Sequence, residues 1–384
     1  MKTKLKKKAG PDKIFPEFLR NLGLSAKRSV LELYNNIWNG KYSIPSEWRK
    51  AIVIPILKPN KPPHEISYRP ISLTSVLAKV MERMVMARLN WFLESQELLT
   101  VEQAGFRPNL STAYQLTKFT QDIKESFNNK ESILALFIDF QNAYDKVWRN
   151  KLIWKLQNLG IKDNMLRWCK SFITQRWIST EHNKQRSPYK QTRTGLPQGA
   201  VSSTTLFNVY VNDLPNELKS IKNIKCAMFA DDIVIWTTCK NSARNHNQQL
   251  ENTINKAAEK LQMWSLENNM EISIPKTNYQ YFSLKHKNEE FNIKISNQQI
   301  NKSTCTKYLG MHLDNKLNWA QHVEKIEEKI FRKGHILKRL AGTKWGSPLD
   351  TLNQTYKIYM KPILTYGAEV LITSNVHKQL LYPE

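Results

Sequence analysis

Two adjacent aspartates interrupt an otherwise apolar stretch, and this pair constrains the fold more than any other feature of the chain. Asp231 and Asp232 lie within CAMFADDIVIW, residues 226–236, whose flanking side chains have the character of a buried strand. Ionised carboxylates are rarely buried without a partner, and two of them about 4 Å apart repel by ~4 kcal/mol near a protein surface. The pair therefore predicts a site at the edge of the core that awaits a cation.

A second apolar run, ESILALFIDF at residues 131–140, stops abruptly at Asp139. In a straight strand Asp231 and Asp232 would point to opposite faces, whereas in the tight turn of a hairpin both can approach one site. Asp139 would then complete a cluster of three carboxylates, the hard oxygen ligands that suit Mg²⁺. Two such ions about 3.5–4 Å apart are typical of phosphoryl transfer in polymerases and nucleases. Three other acids are interpreted as helix caps or turn residues, namely Asp145, Asp213 and Asp314.

The charge balance favours a polyanionic partner. Lysine and arginine number 58 against 33 acidic residues, which gives a net charge of +25, and the basic residues recur along nearly the whole chain. Such an excess usually marks nucleic-acid binding, and its spread suits a long channel that follows a backbone. A merely soluble cationic protein is the alternative, because charge alone does not identify a partner.

Membrane insertion and secretion are not indicated. No apolar run reaches the ~18 residues of a spanning helix, and no apolar segment of a signal peptide follows the N-terminal lysine cluster. The four cysteines lie far apart without zinc-site spacing, so we expect thiols in an intracellular protein. With 384 residues, of which 41% are hydrophobic, the chain can bury a full core.

Hydrophobic periodicity predicts an α+β protein with a helical appendage. The predicted helices cover residues 25–38, 71–94, 112–129, 145–175, 241–270 and most of the chain after 319. Residues 194–214 are predicted to form a turn that leads into a helix. The predicted strands lie at residues 48–57, with a Pro/Lys turn after it, at 131–139, on both sides of Asp231, at 279–284 and at 306–314.

A dozen short blocks in fixed order then carry a family resemblance. They are GPD (10–12), WRKAIVIPILKPNKPP (48–63), SYRPISL (67–73), KVMERMVMARL (79–89), QAGFR (103–107), FIDFQNAYDKV (137–147), GLPQG (195–199), LFNVYVNDLP (206–215), FADD (229–232), KT (276–277), YLGMHLD (308–314) and YMKPILTYG (359–367). With these blocks the chain resembles the reverse transcriptase domain of non-LTR retrotransposons, and it is most similar to the jockey group. The resemblance implies a right-hand polymerase fold of fingers, palm and helical thumb, with an antiparallel palm sheet carrying the catalytic aspartates. The implied division is a basic lead-in at 1–37, fingers and palm at 38–314, and a truncated thumb or connection at 315–384.

The resemblance implies a role for each matching residue. Asp139, Asp231 and Asp232 would hold two Mg²⁺ ions, with Mn²⁺ as a substitute, and the backbone of Phe140 would join the metal and triphosphate site. The implied nucleotide contacts are Lys58 and Arg69 to the β- and γ-phosphates, Tyr144 as a gate against a 2′-OH, Gln198 beside the template base pair, and Lys276 near the pyrophosphate. Tyr308, Leu309 and Gly310 resemble the grip on the primer 3′ end.

The implied activity is RNA-directed DNA synthesis by a mobile element, with an RNA template, a DNA primer and dNTPs as partners. Nuclear and cytoplasmic ribonucleoprotein locations are implied likewise. Basic residues between Trp319 and Trp345 resemble a thumb laid along the heteroduplex.

Three departures from the family pattern leave a second hypothesis open. Ser202 and Thr204 replace an apolar residue and a proline after GLPQG, SIPKT lacks the usual asparagine before its lysine, and GPDKI lacks the usual glycine. The alternative is a catalytically decayed remnant that still binds nucleic acid. A nuclease would not explain Gln198 or Tyr144, and Tyr144 argues against an RNA polymerase. Neither an endonuclease nor an RNase H block is visible, so a fragment, a truncated insertion and a stand-alone domain all remain open.

Overall fold

The computed structural model describes residues 9–58, 62, 68–285, 289–342 and 345–371. The N-terminal lysine cluster, most of the Pro/Lys turn after Lys58 and the last thirteen residues, 372–384, lie outside the described residues. The helices are α1 (Pro16–Arg20), α2 (Leu24–Trp38), a 3₁₀ turn (Ser46–Arg49), α3 (Val76–Ser95), α4 (Thr112–Asn128), α5 (Ala143–Lys146), α6 (Arg149–Asn158), α7 (Asp163–Ile173), α8 (Ser202–Val211), α9 (Leu214–Lys219), α10 (His246–Glu267), α11 (Ala320–Ala341), α12 (Leu349–Tyr359), α13 (Lys361–Thr365) and α14 (Ala368–Leu371).

The strands are short and mostly antiparallel. They are β1 (Lys50–Leu57), β2 (Tyr68–Thr74), β3 (Glu131–Ile138), β4 (Arg176–His182), β5 (Gln185–Arg186), β6 (Lys190–Thr192), β7 (Ile224–Phe229), β8 (Asp232–Lys240), β9 (Asn278–Phe282), β10 (Lys294–Ile295), β11 (Gln298–Gln299), β12 (Asn301–Lys302), β13 (Cys305–Tyr308) and β14 (Met311–Asp314).

The helix predicted from residue 71 begins later, at Val76, and that prediction is wrong in its first turn. Residues 71–74 belong to β2, which pairs antiparallel with β1 along its whole length. The Ser75 side chain then accepts the N–H of Ala78 at 3.2 Å and so caps α3. A serine cap marks a helix start, so the helical periodicity was extended too far towards the N-terminus.

The chain packs as two units. The first comprises Met1–Gln103, Phe140–Leu214 and Trp264–Glu271. Its sheet has the order β2-β1-β4-β5, with β6 also paired to β4. β1 is antiparallel to β2 and parallel to β4. Helices α3 and α6 pack against α8, and α7 packs against α6. Every residue of α8 except Thr204 is buried.

The second unit comprises Ala104–Asp139, Pro215–Met263 and Ile272–Glu384, and its sheet has the order β12-β9-β3-β8-β7. Central β3 is antiparallel to β8 and β9. Phe119 of α4 makes edge contacts with four rings of this sheet and its neighbours, all buried, namely Phe137, Trp236, Phe282 and Tyr308. Such ring packing adds to the burial energy of the core.

The α+β class is confirmed, whereas the right-hand arrangement and the division at residues 37 and 314 stay predictions. Cys169, Cys239 and Cys305 are free thiols. Within the described ranges, no helix combines the length and the apolar character needed to cross a membrane.

Candidate active site

The Asp231–Asp232 pair lies at the tip of a hairpin of the second unit. Phe229 pairs with Asp232 across β7 and β8, so Ala230 and Asp231 form a two-residue turn. Ala230 has a φ of +58°, a value that is unusual for a side-chain-bearing residue and that recurs at functional sites. On the other side of β8, Ile233 pairs with Ile138. Asp139 follows Ile138 and Asp232 precedes Ile233, so in this antiparallel pair the two aspartates lie side by side at the same end of β3 and β8.

Asp139 is held by the SIPKT segment. Its N–H donates to Thr277 Oγ1 at 3.4 Å, and its carbonyl accepts the N–H of Ser273 at 2.8 Å. Its Oδ2 accepts from Lys276 Nζ at 2.9 Å. Sequence reasoning missed Ser273 and Thr277, although their position around Lys276 was a usable signal. The segment thus fixes the backbone of Asp139 as well as supplying the lysine.

Asp232 experiences the repulsion of its acidic neighbours. Partial burial of the carboxyl group and then the charges of Asp231 and Asp139 raise its pKa from 3.8 to about 6. The Asp232 side chain is solvent-accessible at the start of β8, so part of this repulsion is screened by water. The charges of Asp231 and Asp139 act on the Asp232 pKa in the same direction as its burial.

Asp139 and Asp232 border a small cavity of about 140 Å³. Its lining includes Asp139, Asp232, Lys276, Asn278 and Thr306. Among the residues that the structure describes, no three His, Cys, Asp or Glu side chains are gathered as metal ligands, and Asp139 is paired with Lys276 instead. The hard oxygen donors and their mutual repulsion nevertheless fit Mg²⁺, because a divalent cation would neutralise them.

The predicted primer-grip residues divide between core and surface. Tyr308 is 4% exposed, and its ring packs 5.6 Å from that of Phe137. Leu309 and Gly310 form the turn between β13 and β14 with φ values of +44° and +91°. The Tyr366 hydroxyl donates to the Leu309 carbonyl at 2.5 Å. The structure therefore leaves Gly310 exposed, packs the half-buried Leu309 against the core and places the Tyr308 ring within the core.

Two predicted phosphate contacts lie together in the first unit. Arg69 in β2 pairs with Ile56 in β1, and Lys58 follows the end of β1. Both basic side chains are therefore at the same end of the β1–β2 pair. Phe140, by contrast, is 3% exposed and packs 6.1 Å from the Trp264 ring, so only its backbone is suited to the role predicted for it.

Tyr144 and Gln198 are linked through neighbouring residues of the first unit. The Tyr144 carbonyl accepts the N–H of Leu196 at 2.8 Å, and the Tyr144 ring stacks on Phe207 at 4.5 Å. Gln198 Nε2 donates to Asp145 Oδ2 at 3.1 Å. Burial raises the pKa of Asp145, and this bond lowers it. Asp145 lies within α5 and its carboxylate accepts from a distant side chain, so its interpretation as a cap or turn residue is wrong.

The other two acids interpreted as caps or turn residues differ from each other. Asp213 accepts from Lys155 Nζ at 2.7 Å and from Trp264 Nε1 at 3.0 Å, so it serves as the counter-ion of a buried lysine. Asp314 accepts three backbone N–H groups of the following turn, which confirms its interpretation as a turn residue.

Most of the chain is similar in sequence to known proteins. Residues 56–313 match the family described as "Reverse transcriptase (RNA-dependent DNA polymerase)". The chain is 30% identical over 380 residues to the probable RNA-directed DNA polymerase from transposon BS of Drosophila melanogaster. The aligned region covers 95% of this chain and 40% of that protein. It is 28% identical over 376 residues to the RNA-directed DNA polymerase from mobile element jockey of the same species, with coverage of 96% and 40%. It is 27% identical over 368 residues to the probable RNA-directed DNA polymerase from transposon X-element, also of that species, with coverage of 95% and 39%. The chain thus spans about 40% of the length of these relatives.

Proposed function

The chain belongs to the reverse transcriptase family, and from this premise we propose that it is an RNA-directed DNA polymerase of a non-LTR mobile element. One observation carries the proposal: Asp139 and Asp232 are adjacent at the same end of β3 and β8, with Asp231 in the neighbouring turn. The proposed partners are an RNA template, a DNA primer and dNTPs. A nuclear and ribonucleoprotein location follows only as part of the same proposal.

In the proposed reaction the primer 3′-OH attacks the α-phosphate of a dNTP, and pyrophosphate leaves. Asp139, Asp231, Asp232 and the Phe140 carbonyl would hold two Mg²⁺ ions, which supply Lewis-acid activation of the attacking and leaving oxygens. Lys276, now 2.9 Å from Asp139, would give a proton to the leaving pyrophosphate.

The remaining residues would bind and select substrates. Lys58 and Arg69 would hold the β- and γ-phosphates, since charge-assisted hydrogen bonds to phosphate are strong. The Tyr144 ring, stacked on Phe207, would oppose a 2′-OH, and Gln198 would contact the nucleotide beside the template base. The Leu309–Gly310 turn would position the primer.

Primer extension on an RNA template tests the proposal. The reaction contains Mg²⁺ with either dNTPs or rNTPs, and the wild-type chain is compared with Asp139→Asn and Asp232→Asn. The matched control is Asp163→Asn, an exposed aspartate at the start of α7. We expect extension with dNTPs by the wild type and the control, and about a thousandfold loss or more in both site variants, since each removes several kcal/mol of transition-state stabilisation.

Two results would count against the proposal. Equal extension by Asp232→Asn and the wild type would show that the Asp232 carboxylate takes no part in the reaction. Salt-sensitive RNA binding without extension by the wild type would instead favour the decayed remnant.

A further inference from the structure

One guanidinium group of the first unit holds a whole loop. Arg149 is 6% exposed. It donates from Nε to the Gly195 carbonyl at 2.9 Å, from Nη1 to the Thr192 carbonyl at 2.7 Å, and from Nη2 to Thr192 Oγ1 at 2.8 Å and the Thr194 carbonyl at 2.7 Å. Four hydrogen bonds from one planar group leave residues 192–195 little freedom.

The held loop continues directly into Gln198. The Gly195 N–H donates to the Val147 carbonyl at 2.8 Å, and the Leu196 N–H donates to the Tyr144 carbonyl at 2.8 Å. The approach is so close that a Cβ at Gly195 would lie 2.7 Å from the Asp145 carbonyl oxygen. Residues 192–198 therefore run alongside residues 144–149, with Arg149 at one end of the contact and the Asp145–Gln198 bond at the other.

The loop also borders a cavity of about 460 Å³, whose lining includes Arg149, Arg193, Asp145 and Gln198. A segment beside open space has few packing contacts on that side, so its hydrogen bonds decide its conformation. The Arg149 bonds are suited to this task because burial lowers the pKa of the group only to about 10. The guanidinium is therefore still a cation at neutral pH.

We propose that Arg149 is a positioning residue for nucleotide selection. Its fork of hydrogen bonds holds the 192–198 loop in register with residues 144–149, and so sets Gln198 relative to Tyr144 without touching the nucleotide. The inference rests on the proposed function for the roles of Tyr144 and Gln198. Lysine is not an adequate substitute, because a single ammonium cannot present donors in this fixed plane.

The test compares Arg149→Lys with Arg193→Lys, an exposed arginine of the same loop that serves as the matched control. Steady-state primer extension gives KM and kcat for dNTPs and the preference for dNTPs over rNTPs. For Arg149→Lys we expect the KM for dNTPs to rise about tenfold, the preference to fall by a similar factor, and kcat to change less, because several charge-assisted hydrogen bonds are lost. The control should match the wild type.

Hydrogen exchange provides a second readout that needs no catalysis. The amides of Gly195 and Leu196 should exchange at least about tenfold faster in Arg149→Lys than in the control. A wild type that fails to extend primers would overturn the proposed function. The exchange rates would still report whether the Arg149 hydrogen bonds hold the 192–198 loop.

The inference is overturned if Arg149→Lys has the KM, nucleotide preference and exchange rates of Arg193→Lys. It is also overturned if KM and preference stay unchanged while only the melting temperature falls, since that is a purely structural role. Should Arg149→Lys not fold, Thr192→Val replaces it. Valine keeps the shape and removes the Oγ1 acceptor of Arg149, together with a long hydrogen bond of 3.4 Å to the Arg176 carbonyl. We then expect a two- to threefold rise in KM, roughly the value of one hydrogen bond, and an unchanged KM would refute the positioning role.

Discussion

Partial burial of the Asp232 carboxyl group, together with the charges of Asp231 and Asp139, raises its pKa and so makes stability depend on pH. Its pKa is about 6 in the folded chain against an ordinary 3.8, so the folded state binds this proton more tightly than the unfolded state. The resulting contribution to stability is fully present below pH 3.8 and is lost as pH rises through about 6.

Asp232→Asn should therefore stabilise the metal-free chain at pH 7.5 and leave it nearly unchanged at pH 4. We expect a melting temperature about 2 °C higher at pH 7.5, a modest value because the side chain is accessible and its charge is partly screened. Thermal melts in a chelator at both pH values measure it. Asp350→Asn, an exposed aspartate in the first turn of α12, is the control, and an equal shift at pH 4 and 7.5 would contradict the prediction.

Magnesium should reverse the order of the two proteins. A ligand that binds only the folded state stabilises it by mass action, so added Mg²⁺ is expected to raise the melting temperature of the wild type above that of Asp232→Asn. A titration followed by thermal melts measures this effect. The absence of any Mg²⁺-dependent difference between the two would show that Asp232 takes no part in binding the ion.

Lys276 should matter for activity far more than for stability. The Lys276 and Asp139 side chains are 60% and 35% exposed, and ion pairs of this kind contribute at most about 1 kcal/mol. Lys276→Gln should change the free energy of unfolding by less than that, while extension slows roughly ten- to a hundredfold if the lysine protonates pyrophosphate. Urea melts and kinetics measure the two effects. Lys256→Gln on the exposed face of α10 is the control, and equal kinetics would remove Lys276 from the chemistry.

Among the elements, α8 depends on a buried acid of α3. Glu82 is fully buried, and its Oε2 accepts the N–H groups of Val201 at 2.8 Å and Ser202 at 3.0 Å, together with the Ser202 hydroxyl at 3.0 Å. The Ser202 hydroxyl is thus a third donor to Glu82, beside the two backbone N–H groups.

Removing that acceptor should weaken the first unit strongly. Glu82→Ala leaves the buried donors of Val201 and Ser202 without their acceptor, so we expect a loss of about 3 kcal/mol in the free energy of unfolding. Chemical denaturation measures it, with Glu259→Ala on the exposed face of α10 as the control. A loss equal to that of the control would show that water replaces the carboxylate at no cost.

Local pattern was sufficient for most elements but not for their joints. Apolar runs such as residues 131–138 and the amphipathic 112–128 specify a strand and a helix by themselves, because burial of one face decides both. The boundary at Ser75 was missed, because the residues before it also carry apolar side chains that suit a helix face. Those residues form a strand because they pair with β1, a segment outside their own sequence neighbourhood.

The candidate site was predictable where chemistry is local to a motif. The FADD hairpin and the acidic end of β3 can be recognised from the sequence, because each places charged residues within or at the end of an apolar run. Asp145, Arg149 and Glu82 do not, because the groups that they bind lie 43 to 120 residues away in the sequence. Nothing in their own neighbourhoods distinguishes these side chains from solvated ones.

At the scale of the whole molecule, the net charge of +25 should make RNA binding strongly dependent on salt. Affinity falls with salt in proportion to the number of phosphate contacts. Lys329 and Lys338, both exposed on α11, are two candidate contacts. Replacing both with glutamine should lower the slope of log affinity against log salt by about 1.4 to 1.8.

Binding titrations at several salt concentrations measure that slope. The control replaces Lys41 and Lys162, two exposed lysines outside α11, and keeps the same net charge as the test variant. If both double variants change the slope equally, α11 is no more a nucleic-acid surface than the rest of the chain.

The central place of β3 has a kinetic consequence. This strand has hydrogen-bonded neighbours on both sides, so its amides are released only after β8 or β9 has opened. Fraying at the sheet's outer strands, β7 and β12, leaves the anchor of Asp139 in place. Heat should therefore abolish activity in step with global unfolding, rather than through an earlier local loss of the acid that ends this strand.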